Sequence, residues 1–509
     1  MSFRKLWGTI SNKISTKKSS PRIDLTFNDP EASFRSKTTP EVLRAYIVYK
    51  LCSYEKLVDH NMKLMKISEK ILGKFLFSKL MKATFFGHFV GGEDLKQLMP
   101  FVMRLQSFGV KSILDYSVEE DLSEEQAEKI VKESSVSEMG DEIADGSLKQ
   151  YHVMENSHMD RLGTGITAIK LTALGRPQLL LQISEVIMKA REYIDSMAGG
   201  NHKNVLLHHK TIEEMERYYK DKVGEQQDVK EFLKQVTSDK EGIINLFPWS
   251  GIVDENFQLS ETFRIPDPKT GRMRKFISQI TPKEESMFRN MIHRVNTIAQ
   301  KAKEVGGCVM VDAEQTYFQP AISRITVEMM RKHNKEKVVV MNTYQNYLQS
   351  AFDEVKADLE QAKRQNFYFG AKIVRGAYME QERARAKELG YPDPINPTYE
   401  ATSEMYHKTL IECLTRIRDL KKQKMDPKRI TIMVASHNED TIRLAINKMD
   451  EIGVSPEDNV ILFGQLLGMC DFITFPLGAA DMMSTSIYHM VLLQKCFLIC
   501  REEPLRIRV

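Results

Sequence analysis

The sequence is short of cysteine, of long apolar runs and of net charge, and each shortage removes a class of protein. Its six cysteines (Cys52, Cys308, Cys413, Cys470, Cys496, Cys500) are mostly scattered, and none forms a C-x-x-C pair. That spacing indicates neither a disulfide framework nor a cysteine zinc site, and it suits a reducing compartment. No run reaches the roughly 18 apolar residues of a bilayer-spanning helix, so any membrane contact is expected to be peripheral. A net charge of +4 is too mild to point to nucleic acid. G-x-S-x-G, H-E-x-x-H and P-loop patterns are all missing. One G-x-G-x-x-A match, at 163–168, is followed by a β-rich run where a dinucleotide fingerprint needs a helix, so it is read as accidental. His202, His208 and His209 lack zinc spacing, and no metal ligand set is expected. Acids are missing from the N-terminus: Arg4, Lys5, Lys13, Lys17, Lys18 and Arg22 precede the first one, Asp24. A basic, Ser- and Thr-bearing, acid-free start fits a mitochondrial transit peptide over residues 1–23 better than a secretory signal, which needs an apolar stretch.

What is present begins with helices. Thr38-Thr39-Pro40-Glu41 offers a helix start with proline in the first turn, and the apolar spacing predicts helices through residues 37–110. Residues 25–160 are read as a helical N-terminal region, and 177–305 as a helical insertion. Short apolar runs then alternate with helical segments: 166–171, 309–311, 338–341, 371–374, 430–434, 460–463 and 472–475. Seven such runs point to an α/β architecture, a closed (β/α)8 (TIM-type) barrel over residues 161–480, with an open doubly wound sheet as the alternative.

Most of these runs end in polar side chains. The first carries Lys170; Asp312, Glu314 and Gln315 follow the second; Asn342, Thr343 and Gln345 the third. Arg375 and Tyr378 follow the fourth, across Gly376 and Ala377; Ser436, His437 and Asn438 the fifth; Gly464 and Gln465 the sixth. In a barrel such ends converge on one rim, where barrel enzymes build their sites. Asp312 and Glu314, one residue apart, would share a face if extended, but are too near in sequence for a sugar ring between them. A mixed rim of cations, amides, an imidazole and a phenol suits an anionic or carboxylated small molecule, or a flavin.

Nine segments carry a resemblance: 27–30 (FNDP), 34–39 (FRSKTT), 84–89 (TFFGHF), 169–174 (IKLTAL), 311–316 (VDAEQT), 342–345 (NTYQ), 372–378 (KIVRGAY), 435–438 (ASHN) and 463–469 (FGQLLGM). Together, in this order, they resemble the eukaryotic, mitochondrial proline dehydrogenase (proline oxidase) family. The resemblance implies a distorted (β/α)8 barrel that holds FAD over its carboxyl-end rim. It implies oxidation of L-proline to Δ1-pyrroline-5-carboxylate, with electrons passed to ubiquinone at the matrix side of the inner mitochondrial membrane. Lys170, Asp312 and Tyr378 are then expected to border the proline. Gln345, Lys372, Val374, Arg375, Gly376, Ala377, Thr402, His437, Asn438, Gln465 and Leu466 are expected to hold FAD. The pattern departs after Ala480. Relatives continue with a last strand and a helix bearing an Arg-Arg pair that clamps the substrate carboxylate; here residues 481–509 diverge, and Arg501 precedes Glu502 and Glu503. The last strand and helix are therefore expected to be missing, which leaves an impaired variant and a hydroxyproline dehydrogenase as alternative readings.

Overall fold

A computed structural model describes residues 23–92, 95–115, 144–145, 148, 165–197, 212–238, 244–245, 249–254, 259, 263–267, 269–275 and 280–490. Residues 1–22, nearly all of the expected transit peptide, and 491–509, most of the divergent tail, lie outside them.

Eight parallel strands close a barrel: β1 (Lys111–Asp115), β2 (Ile166–Ile169), β3 (Cys308–Val311), β4 (Val340–Gln345), β5 (Phe369–Val374), β6 (Ile430–Ala435), β7 (Ile461–Leu466) and β8 (Ser484–Met490). Each pairs with its sequence neighbour, and β8 returns to β1 in register from Thr485 opposite Lys111 to His489 opposite Asp115. Closure removes the exposed edges that an open sheet leaves.

Four expectations are corrected. The run 472–475 lies in a helix, Asp471–Ala479. Ile473, Phe475 and Leu477 are all buried there, and a short apolar run buried on every side has no period that separates strand from helix. The last strand is not missing, because β8 supplies it. Its composition hid it: Ser484 donates to the Thr474 carbonyl at 2.9 Å and Thr485 to the Phe463 carbonyl at 2.8 Å, so hydroxyls are buried without loss of hydrogen bonds. The first strand, β1, lies in a region without an expected strand, so the barrel extends past residues 161–480 on both sides and the insertion follows its second strand. That insertion is also not purely helical, since Arg264–Pro266 pairs antiparallel with Met273–Lys275.

The described N-terminal residues include the helices α1 (Pro30–Phe34), α2 (Thr39–Cys52), α3 (Asn61–Ala83), α4 (Phe85–Phe89) and α5 (Leu95–Gln106). Thr38 and Glu41 form the capping box of α2. A three-residue strand, Val90–Gly92, pairs with the carboxyl end of β8. The barrel's covering helices include α6 (Pro177–Met197), α7 (Pro282–Glu304), α8 (Gln319–His333), α9 (Ala351–Gln365), α10 (Met379–Leu389), α11 (Tyr399–Lys422), α12 (Glu439–Ile452) and α13 (Asp471–Ala479).

The core has two layers. Ile113, Ile166, Ala168, Met310, Met341, Met433, Leu462 and Ile487 fill the barrel's interior. A larger cluster lies between strands and helices. Strand β5 gives the interior Gly370 instead of a large side chain, and a Cβ there would meet the Met341 side chain at 2.7 Å.

Candidate active site

The interior layer fixes what reaches the rim. Side chains alternate along a strand with period two. Two residues past Ala168 comes Lys170; past Met310, Asp312; past Met341, Thr343 and then Gln345; past Gly370, Lys372 and then Val374; past Met433, Ala435 and then His437. The same alternation that buries the methionines therefore delivers two cations and a carboxylate to one mouth.

Lys372 and Asp312 meet there at 2.8 Å, on strands separated by β4, with side chains 11% and 15% exposed. Asp312 also donates its backbone N–H to the Ile169 carbonyl at 2.9 Å, which ties the ends of β2 and β3. Glu314 does not share Asp312's partner. It is buried, accepts from the Thr172 hydroxyl and backbone N–H, and is bracketed by Gln319 Oε1 on its own N–H and Gln345 Nε2 on its carbonyl at 2.8 Å. Burial pushes its carboxyl above the ordinary range, against the opposing pull of Thr172 and the Lys170 charge.

Arg375 turns away from this pair into a cage of hydroxyls. Its guanidinium donates to Ser436 at 2.9 Å, Thr441 at 3.0 Å and Ser403 at 3.2 Å, and lies over the rings of Tyr406 and Tyr399. Its buried Nε has no hydrogen-bond partner. Gly376 follows at φ 144°, and a Cβ there would stand 1.9 Å from the Tyr347 ring. Only glycine combines that backbone with that approach. Tyr378 sits at the start of α10, where its carbonyl accepts from the Glu382 N–H at 2.9 Å; Ala377 beside it is exposed. Glu382 in turn accepts from the Thr316 N–H at 2.7 Å, joining this loop to the one after β3.

The remaining expected residues lie just after β6, on β7 and on α11. His437 Nε2 accepts from the Leu466 N–H at 3.0 Å, so the ring proton is assigned to Nδ1. Asn438 caps α12 through Thr441 and donates to the Tyr399 hydroxyl at 2.9 Å. Gln465 points outward between β7 and α13, bonded to Thr474 and the Ser436 carbonyl. Thr402 is buried on α11 next to Ser403. Ser403 and Thr441 escaped the sequence reading because they lie on helices and reach Arg375 only across the fold.

A second set was also missed. Tyr49 on α2 and His88 on α4 both donate to the Gly468 carbonyl, in the loop after β7. Gly468 has φ 74°, and a Cβ there would meet the His88 carbonyl at 2.6 Å. The segments 84–89 and 463–469, far apart in sequence, thus form one joint. Burial and the Lys37 charge hold the His88 imidazole down at about 4. Lys37 itself pairs with the buried Asp471 at 2.6 Å.

Comparison with known proteins follows the same outline. Residues 99–492, a span that includes all eight strands, match the profile of the family described as proline dehydrogenase. The chain is 60% identical over 506 residues to mitochondrial proline dehydrogenase 1 of Drosophila melanogaster, covering 90% of this chain and 74% of that one. It is 42% identical over 500 residues to the Homo sapiens protein of the same description, covering 90% and 82%. Identity to hydroxyproline dehydrogenase of Xenopus laevis is 30% over 456 residues, covering 90% and 80%. Among solved structures, proline utilization A from Bdellovibrio bacteriovorus superposes with a TM-score of 0.50 at 15% identity, covering 94% of this chain and 36% of that longer one, a likeness of fold.

Proposed function

The chain belongs to the proline dehydrogenase family, and we propose that it oxidises L-proline to Δ1-pyrroline-5-carboxylate in the mitochondrion, with FAD as resident cofactor and ubiquinone as electron acceptor. The family match across all eight strands carries this reading. The identity gap, 60% against 30%, favours proline over hydroxyproline as substrate.

The donor set fits FAD. Arg375 has hydroxyl partners and an orphaned buried Nε, which suits an added anionic or acceptor group. Gln345, Lys372, Val374, Arg375, Gly376, Ala377, Thr402, His437, Asn438, Gln465 and Leu466 form its proposed contacts. When bound, FAD supplies the hydride acceptor. The protein's own residues orient and enclose. A zwitterionic amino acid carries both charges in a small volume, and Lys170 and Asp312 offer both signs on adjacent strands β2 and β3. Asp312 holds Lys372 at the mouth, so the ammonium is pre-positioned for a bound ligand. Tyr378, in the loop after β5, is proposed to border the substrate beside them.

The purified protein should be yellow and should bleach on anaerobic addition of L-proline, and far less with 4-hydroxyproline. A colourless protein, or colour unchanged by proline, overturns the reading.

A further inference from the structure

We propose that α3 seats the carboxyl-end rim of the barrel on an anionic lipid bilayer, an inference that rests on the quinone-reducing reading for its purpose but on the surface itself for its existence. Among the described residues, twelve of the twenty exposed large apolar side chains fall between Leu43 and Leu80. The other eight are spread singly over the rest of the protein, as on any soluble surface. On the first part of α3, Leu64, Ile67 and Ile71 recur at helical spacing and make one stripe, with Ile71 76% exposed, and Phe75, 70% exposed, opens the second part beyond Gly73. Lys63, Lys66 and Lys70, all exposed, repeat the same rhythm one residue earlier and so flank that stripe, and the exposed Lys74 precedes Phe75.

The charge decides what covers it. α3 carries six lysines and one acid, Glu69. A second copy laid on this face would oppose lysine to lysine, whereas anionic headgroups pair with the lysines while the acyl boundary takes the isoleucines and phenylalanine. No helix among the described residues is long and apolar enough to cross a membrane, so the contact is one that lies on the surface. Gly73, at φ 72°, breaks α3 into two parts. Phe77 and Met81 in the second part pack on Phe86 and Val90, and so fix it to the body.

The position of this surface gives it a use. Val90–Gly92 pairs with His489 and Met490 at the carboxyl end of β8. Tyr49 and His88 grip Gly468, two residues beyond Leu466. The N-terminal helices are thus fastened to the rim that carries the site, and docking them brings that rim beside the phase where a lipid-soluble acceptor is dissolved.

The test uses the full chain with its cofactor, sedimented with phosphatidylcholine–phosphatidylglycerol vesicles and with phosphatidylcholine alone. Binding is expected to the first, to weaken with salt, and to fall at least about tenfold in Ile71→Glu/Phe75→Glu. The double variant should keep proline-dependent reduction of a water-soluble dye and lose rate only with a long-tailed quinone in vesicles. Equal sedimentation of variant and parent overturns the proposal. So does a parent that ignores both vesicle types and runs as a dimer which the substitutions split, since the face is then a self-association surface. Loss of dye reduction in the parent would instead count against the proposed reaction, leaving vesicle binding to be judged by itself.

Discussion

Single side chains at the mouth do measurable work because each has few substitutes. Removing the ammonium in Lys372→Met leaves the partly buried Asp312 without that partner. The cost should be about 2–3 kcal/mol, read as a lower urea midpoint, and Lys372→Met/Asp312→Leu should recover part of it. Gly376→Ala forces a Cβ into the Tyr347 ring from a backbone that L-residues avoid. It should lower stability by about 1–3 kcal/mol in a thermal melt and weaken retention of yellow colour. His88 gives a pH dependence whose sign is fixed. Its imidazole is held at about 4 by burial and Lys37, below the roughly 6.5 of an unfolded histidine. The stabilisation is therefore complete above about pH 6.5 and lost as pH falls towards 4, on the order of 3 kcal/mol. His333, also driven to about 4 by burial and Lys332, adds in the same direction. Urea midpoints taken across that window should fall, and His88→Asn should flatten the fall by about half.

Elements were legible in proportion to their local signals. The capping boxes at Thr38 and Thr281 mark the starts of α2 and α7, and the β/α rhythm located six of the eight strands. The two missed strands, β1 and β8, are short or rich in hydroxyls, so hydropathy alone does not separate them from loop. The segment 472–475 failed the other way, because an apolar run without a period is decided by what surrounds it. Asn438 links element to site. Its Oδ1 caps α12 at Thr441 N–H, 2.8 Å away, and its amide reaches Tyr399. Asn438→Ala should cost about 1 kcal/mol in chemical denaturation, with a further loss of cofactor affinity in a flavin-release titration.

For the molecule as a whole, closure at β8 is the decisive event, since that strand pairs with β7, β1 and the short strand from the N-terminal helices. Thr485→Pro removes a ladder N–H and the bond to the Phe463 carbonyl. It should cost about 3 kcal/mol or more, seen as early thermal unfolding and rapid proteolysis. The sequence by itself determined the strand and helix alternation, the polar strand ends and the family resemblance, because these depend on residue type and spacing along the chain. Period-two alternation even carried Lys170, Asp312 and Lys372 to a common face. Only the tertiary structure decided that Asp312 holds Lys372 across an intervening strand and that Arg375 is caged by hydroxyls from two helices. It also decided that 84–89 clasps 463–469 and that a hydroxyl-rich segment closes the barrel. Each of these pairs groups tens to hundreds of residues apart, and their energies come from burial and geometry that no local pattern encodes.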